Sequence, residues 1–379
     1  MEVPKLRFPG FKGIWKKVEL NEILVVNSGR DYKHLDPGDI PVYGTGGYML
    51  SVNKALSEDN AIGIGRKGSI DKPQRLNGPF WTVDTLFYCT AKSDNDLSFL
   101  YTLFHKINWK KYDESTGVPS LSKATIHKVI DYVPCHNEQK EIGEFFDLID
   151  MKIEKQKEKL EIWYEYKKGM MQKLFSRQLR FKDEDGEEFP EWKEVKLGDI
   201  SVSISYGMNA AAKEFDGENI YLRITDIDDE SRKYIEKGKV SPNGLLEEKY
   251  KLMKNDILFA RTGASTGKSF IFEDEERSFY FAGFLIRVRL EEAIDAKFVY
   301  QNTLTSAYKE WVKIMSMRSG QPGINGVEYG EFSFKLPCLK EQKKISGLLS
   351  TIDKKIQYET CKVDLYNQQK KAFMQQMFI

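Results

Sequence analysis

The sequence predicts an α+β protein written twice: a strand-rich globular unit, a long helix, a second such unit and a second long helix. Three observations predict it. Pro134 to Ile142, with Glu138-Gln139-Lys140 inside it, returns as Pro337 to Ile345 with Glu341-Gln342-Lys343, 203 residues later. Trp15-Lys-Lys-Val-Glu-Leu-Asn-Glu-Ile23 returns after 177 residues as Trp192-Lys-Glu-Val-Lys-Leu-Gly-Asp-Ile200. Each Glu-Gln-Lys anchor also opens a run whose apolar residues alternate at spacings of four and three. A repeat at fixed spacing is the sequence mark of a duplicated architecture.

The long helices come first because they organise the rest. One seam holds Ile142, Phe146, Ile149, Ile153, Leu160, Trp163, Met170 and Leu174. The other holds Ile345, Leu349, Ile352, Ile356, Val363, Tyr366, Phe373 and Met377. A seven-residue apolar period over more than four heptads is a coiled-coil seam. The remaining faces are Lys, Glu, Gln and Asp, as water requires. About 38 residues at ~1.5 Å each give roughly 55–60 Å of helix, far beyond an ordinary globular helix. Polar residues interrupt both seams at matching places, Gln156 and Lys167, then Glu359 and Lys370. Such residues set register. One antiparallel register would pair Lys167 with Glu359 and Gln156 with Lys370.

The globular units follow in order. Pro4, Pro9 and Gly10 make the first residues an arm, and Leu6-Arg-Phe8 has a counterpart in Leu179-Arg-Phe181. Short apolar runs between turn residues read as strands: Ile40–Tyr43, Ala61–Ile64, Phe80–Val83 and Thr85–Tyr88. Leu97–Ile107 reads as an amphipathic helix with Leu100, Leu103, Phe104 and Ile107 on one face. The polar stretch Lys182–Pro190 leads into the second unit. Its strands are expected at Ile220–Ile224, Asp256–Ala260, Ser269–Phe272 and Phe284–Arg289, with one helix over Ala296–Met315. The boundaries are residues 1–137 for the first unit, 138–178 for the central helix, 179–340 for the second unit and 341–379 for the last helix. The two offsets differ by 26 residues, so the second unit is longer by that amount.

Composition excludes more than it assigns. Of 379 residues, 58 are Lys or Arg and 57 are Asp or Glu, a net charge of +1, so no global basic field draws in a polyanion. The four cysteines (Cys89, Cys135, Cys338 and Cys361) form no CxxC and do not cluster with the four histidines, so no zinc site is legible and reduced thiols are expected. Neither a signal pattern nor an apolar run long enough to span a bilayer is present, which reads as a cytoplasmic protein with no membrane partner. Gly263-Ala-Ser-Thr-Gly267-Lys268-Ser269 resembles a phosphate loop. It has three residues between its glycines where four are needed, and a strand pattern follows it rather than a helix. There is no Gly-x-Ser-x-Gly elbow, no Asn/Asp-Pro-Pro-aromatic tetrapeptide and no ordered carboxylate cluster. No catalytic constellation is legible.

What remains is cationic and amide side chains near turns. The first unit has Arg66-Lys67-Gly-Ser69, Lys72, Gln74, Arg75 and Asn77; the second has Arg223, Arg261-Thr262-Gly-Ala-Ser265, Lys268, Arg318 and Gln321. Arg and Lys neutralise phosphates or read guanine, and Gln and Asn read adenine. Arg66 and Arg261 each follow an apolar strand at similar places in the repeat, so the two loops are expected to share a role.

Taken in order and in duplicate, these motifs resemble the DNA-specificity subunits of type I restriction–modification systems, across essentially the whole chain. Tyr43-Gly-Thr-Gly46 and Tyr221-Leu-Arg-Ile224 are also typical of that family's recognition domains. The resemblance implies two target-recognition domains separated by two long helices packed as an antiparallel coiled coil, with pseudo-two-fold symmetry. It adds Tyr43, Thr45 and Thr225 to the DNA-contact candidates. It implies that each domain reads half of a bipartite double-stranded site, asymmetric because the units differ inside, and that helix length sets the gap. It implies a non-catalytic chain with no cofactor of its own. Two methyltransferase subunits using S-adenosylmethionine, and two motor-nuclease subunits using ATP and Mg2+, would do the chemistry. Trp163, Tyr164 and Tyr366 are candidate docking residues for the methyltransferases. The alternatives are a coiled-coil scaffold that binds proteins, which salt-sensitive duplex binding would exclude, and a self-contained enzyme.

Overall fold

A computed structural model describes residues 3–229, 231–317 and 320–379. The chain divides into two units. One holds the residues up to Leu160 together with Tyr358–Ile379, and the other is Glu161–Gln357.

In the first unit, β1 (Lys16–Glu19) passes through the short α1 (Leu20–Ile23) into β2 (Leu24–Ser28). The hairpin β3 (Pro37–Gly44) and β4 (Gly47–Val52) follows, then β5 (Ala61–Gly65), β6 (Gln74–Leu76), β7 (Trp81–Thr82) and β8 (Leu86–Ala91). Then come α2 (Leu97–Lys106) and α3 (Lys123–His127). β9 (Ile130–Val133) returns antiparallel to β1 and leads into α4 (His136–Phe175). The main sheet runs β2-β8-β5-β6 with antiparallel neighbours, and β3 pairs parallel with β7. All five residues of β5 are buried, as a continuous apolar run in a central strand requires.

The second unit repeats this plan. Its strands are β10 (Lys193–Lys196), β11 (Ser201–Tyr206), β12 (Ala211–Glu214), β13 (Asn219–Leu222), β14 (Val240–Asn243), β15 (Ile257–Ala260), β16 (Ser269–Ile271), β17 (Ser278–Phe281) and β18 (Leu285–Leu290). After α5 (Ala296–Asn302), α6 (Ser306–Met315) and α7 (Gly326–Gly330), β19 (Ser333–Leu336) pairs with β10 and leads into α8 (Leu339–Met377). The sheet order β11-β18-β15-β16 and the parallel pair β13–β17 match those of the first unit. The single helix expected over Ala296–Met315 is two. Thr303 and Thr305 turn their hydroxyls onto the carbonyls of Tyr300 (2.6 Å) and Asn302 (2.7 Å), and Thr305 caps α6 by accepting from the Tyr308 amide. Threonines that bond locally to the backbone compete with helix continuation.

The Glu-Gln anchor is a structural latch, built on the same plan twice. Glu138 is fully buried and accepts two bonds from the arm residue Arg7, at 2.5 and 2.6 Å. Gln139 accepts from the Asp96 amide at 3.0 Å and donates to the Pro134 carbonyl at 3.1 Å. In the second unit Glu341, also fully buried, accepts from Arg180 and from the Trp192 indole. Gln342 accepts from the Asp295 amide and donates to Pro337. Asp96 and Asp295 in turn cap α2 and α5. The latch therefore ties the arm, the helix cap and the start of the long helix together.

The far ends of the long helices are core residues. In the first unit Phe378 stacks on Phe99 at 5.4 Å and meets Trp15 at 6.1 Å. In the second, Phe175 and Trp192 both pack on Phe298, at 5.6 and 5.8 Å. Within the first unit the beginning of α4 therefore lies against the end of α8, and within the second the beginning of α8 lies against the end of α4. Lys370 pairs with Asp150 at 2.6 Å in the former, and Lys167 with Asp353 at 2.7 Å in the latter. Ile142, Phe146, Ile153, Ile345, Leu349, Ile352 and Ile356 are buried, while Ile149, Leu160, Trp163, Val363 and Tyr366 are half-buried. The polar register differs from the expected one. Gln156 donates to the Glu359 carboxylate at 2.6 Å, and Lys159 pairs with the same group at 3.1 Å. Glu359 is fully buried, so it takes the amide and ammonium donors directly across from it. That leaves Lys167 and Lys370 to the aspartates.

Glu138→Ala strips Arg7 of its buried partner. Chemical denaturation should show a loss of roughly 2–4 kcal/mol. Exposed Lys140→Ala, whose partner Glu144 lies 3.9 Å away, should change stability by no more than ~0.5 kcal/mol. Equal unfolding midpoints for the two variants would contradict the latch.

Candidate nucleic-acid interface

Both units display an arginine on the same backbone frame. β5 ends at Gly65, and the Arg66 amide donates to the Thr85 carbonyl at 2.8 Å, the Gly68 amide to Pro119 at 2.8 Å and the Leu121 amide to Arg66 at 2.9 Å. β15 ends at Ala260, and the corresponding bonds run from Arg261 to Phe284 (3.1 Å), Gly263 to Pro322 (3.0 Å) and Ile324 to Arg261 (2.9 Å). Gly68 and Gly263 have φ of +96° and +76°, a region where a side chain is strained. Arg66 is exposed and reaches within 3.4 Å of the Asp84 carbonyl. Arg261 is half-buried, reaches the Gly283 carbonyl at 3.4 Å and lies 4.9 Å over the Tyr206 ring. Among the described residues neither arginine forms an ion pair. Each is a positive charge placed by a backbone carbonyl, with no carboxylate partner among the described residues.

The first unit gathers further groups around its loop. The β3–β4 hairpin turns at Thr45-Gly46, with Tyr43 opposite Tyr48. Gln74 donates to the carbonyls of Gly44 and Thr45, at 2.9 and 3.1 Å, and so holds this turn beside β6. The Thr45 hydroxyl lies against Gly68, where a β-carbon would stand 3.7 Å away. Lys67 and Lys72 are exposed and Ser69 is half-buried. Two exposed side chains near this loop were not among the sequence candidates: Tyr48, 63% exposed beside the hairpin turn, and Val118, 57% exposed next to Pro119, whose carbonyl accepts from Gly68. Only the turn signature Gly-Thr-Gly-Gly pointed to that turn.

In the second unit Gln321 lies on the arginine loop, its amide nitrogen 3.1 Å from where a Gly263 β-carbon would be. Thr262 bridges to Gly323, and Thr225 is exposed. Phe284, expected inside a strand, stands on the turn before β18 and is 65% exposed. Arg318 lies outside the described residues.

Three candidates have their charge engaged inside the fold. Arg75 is held by Asp147 and Ser98 and lies 4.5 Å over Tyr101. Arg223 makes a two-pronged pair with Asp226, at 2.7 and 2.9 Å, which raises its pKa. Lys268 is only 7% exposed and donates to the Ile227 carbonyl and to Asp229. The loop before it is a short 3-10 turn, Gly263–Ser265, followed by β16. The phosphate-loop likeness thus ends in a buried structural lysine. Tyr221 is structural too: its hydroxyl donates to Met208 and Ala210, and burial pushes its phenol up. No group of three or more His, Cys, Asp or Glu is arranged to hold a metal ion among the described residues.

The comparisons with known proteins bear on both loops at once. A family model, the type I restriction modification DNA specificity domain, matches residues 13–162 and again 190–364, so each match carries one arginine loop and the start of the long helix behind it. The chain belongs to the type I restriction–modification DNA-specificity family. Its task within that family is DNA recognition rather than catalysis. The chain is 25% identical over 292 residues to the type I restriction enzyme MjaVIII specificity subunit of Methanocaldococcus jannaschii, covering 74% of this chain and 68% of that one. It is 24% identical over 301 residues to the StySPI specificity subunit of Salmonella potsdam, covering 75% of this chain and 65% of that one. The fold matches the crystal structure of a type I restriction–modification S subunit from M. genitalium with a TM-score of 0.66 at 17% identity, covering 100% of this chain and 99% of the other. A second solved structure, described as underlying complex assembly and conformational transition of the type I R-M system, matches with a TM-score of 0.52 at 14% identity and 98% coverage of each chain.

Proposed function

We propose that each globular unit of this specificity subunit reads one half of a bipartite double-stranded DNA site through its arginine loop, and that α4 and α8 are the spacer that fixes the gap. The carrying observation is the duplicated loop: Arg66 and Arg261 on identical backbone frames, each without an ion-pair partner among the described residues. With a net charge of +1, binding rests on such local groups rather than on a general field. Two methyltransferase subunits with S-adenosylmethionine carry out adenine methylation, and two motor-nuclease subunits with ATP and Mg2+ carry out cleavage, all in the cytoplasm. No helix among the described residues is long and apolar enough to cross a membrane. In the first unit exposed Leu148 and Met151 with half-buried Tyr366, and in the second exposed Tyr164 with half-buried Trp163, are the apolar residues offered to the methyltransferases.

Arg66→Ala and Arg261→Ala should each weaken duplex binding by the assembled complex about tenfold or more, since a good base or phosphate contact is worth ~1–3 kcal/mol. Co-elution with the methyltransferase should be unchanged. Gel shifts with unaltered affinity for both variants would reject the loops as DNA contacts.

Removing the matched heptads Ile153–Lys159 and Ile356–Lys362 keeps the seam in phase. It should shorten the recognised gap by roughly three base pairs, because seven residues at ~1.5 Å span about 10 Å. Methylation mapping that returns the parental gap would reject the spacer.

A further inference from the structure

The arginine is common to both units, but the turn beneath it is not. In each unit the guanidinium reaches the carbonyl of the first residue of a two-residue turn, and the arginine amide donates to the second. The turn is closed by a bond from Leu86 to Val83 (3.0 Å) in the first unit and from Leu285 to Ala282 (2.8 Å) in the second. Asp84-Thr85 occupies it in one unit and Gly283-Phe284 in the other.

The chemistry of the two turns is opposite. Asp84 is exposed, and among the described residues its carboxylate has no hydrogen-bond or ion-pair partner. A carboxylate is repelled by phosphates, so beside a DNA-facing arginine it is tolerated where it meets a donor, and the cytosine amino group is the base-edge donor suited to it. Phe284 is a large ring left 65% exposed on a turn whose backbone is fixed. An apolar side chain beside a base-reading arginine suits the thymine methyl group.

We propose that this two-residue turn is the element that makes the two half-sites differ: Asp84 favours a cytosine, and Phe284 favours a thymine, next to the base pair faced by the shared arginine. The proposal rests on the reading of the arginine loops as DNA-facing and names what diversifies them. It also accounts for a duplicated frame carrying unlike side chains at its most exposed point.

The test uses the full chain assembled with its methyltransferase, in cells for methylation mapping and in vitro against duplexes varied one base pair at a time. The variants are Phe284→Ser, which leaves no methyl or ring for a thymine, Asp84→Ala and, as reference, Arg261→Ala. Gly283 is left alone, because a β-carbon there would stand 3.1 Å from the Met208 carbonyl. Phe284→Ser should relax one position of the second half-site, reducing discrimination there by roughly tenfold. The first half-site and the gap should stay intact. Asp84→Ala should do the reverse. If Arg261→Ala damages the second half-site while Phe284→Ser leaves every position unchanged, the turn proposal fails and the arginine reading stands. If all three leave the methylated motif unchanged, both fail. Loss of co-elution with the methyltransferase in Phe284→Ser would mark the ring as a protein contact and overturn the proposal.

Discussion

The antiparallel contact between α4 and α8 is what the rest of this chain depends on. Each helix begins at the latch of one globular unit, under a buried glutamate, and ends among the aromatic core residues of the other: Phe175 on Phe298, Phe378 on Phe99. The first unit is completed only by the last residues of the chain, Tyr358–Ile379, while the second is the consecutive run Glu161–Gln357. The polar contact of Gln156 with Glu359 joins residues at equivalent places in the two repeats, as in a self-complementary interface. The paired aspartates and lysines, Asp150 with Lys370 and Asp353 with Lys167, are equivalent to each other in the same way. A shift by one heptad would leave the fully buried Glu359 carboxylate without its donors, a cost of several kcal/mol, so the register is strongly held.

Much of this was legible because the chain repeats itself. The apolar spacing gave both seams, and the duplicated openings gave the unit plan. The pairing across the seam was not legible: lysine and glutamate are interchangeable partners on paper, and only the geometry shows that Glu359 meets Gln156 and Lys159. The helix break at Thr303–Thr305 was hidden because local threonine bonds override an otherwise helical pattern. The role of the Glu-Gln anchor was hidden as well. Its partners, Arg7 and Asp96, are distant in sequence, so a marker that reads as a helix opening is a three-way tie.

The candidate site was half legible. Arg66 and Arg261 stand out in the sequence as candidates because they repeat after matching strands. Arg75 and Lys268 have the same local character, yet Asp147 and Asp229 claim them, and no spacing rule reveals a partner that comes from another element. Phe284 escaped for the opposite reason. Its neighbours Leu285 and Ile286 are buried strand residues, and a run of apolar letters does not tell which one stands outside the sheet.

The account is therefore one of economy of charge: a near-neutral chain, two rigid cationic loops with unlike neighbours, and a paired-helix spacer. The most direct measurement is a map of methylated adenines in cells carrying this chain with its methyltransferase. The account predicts two different short half-sites separated by a gap of constant length. A single uninterrupted motif, or a perfect palindrome, would contradict it.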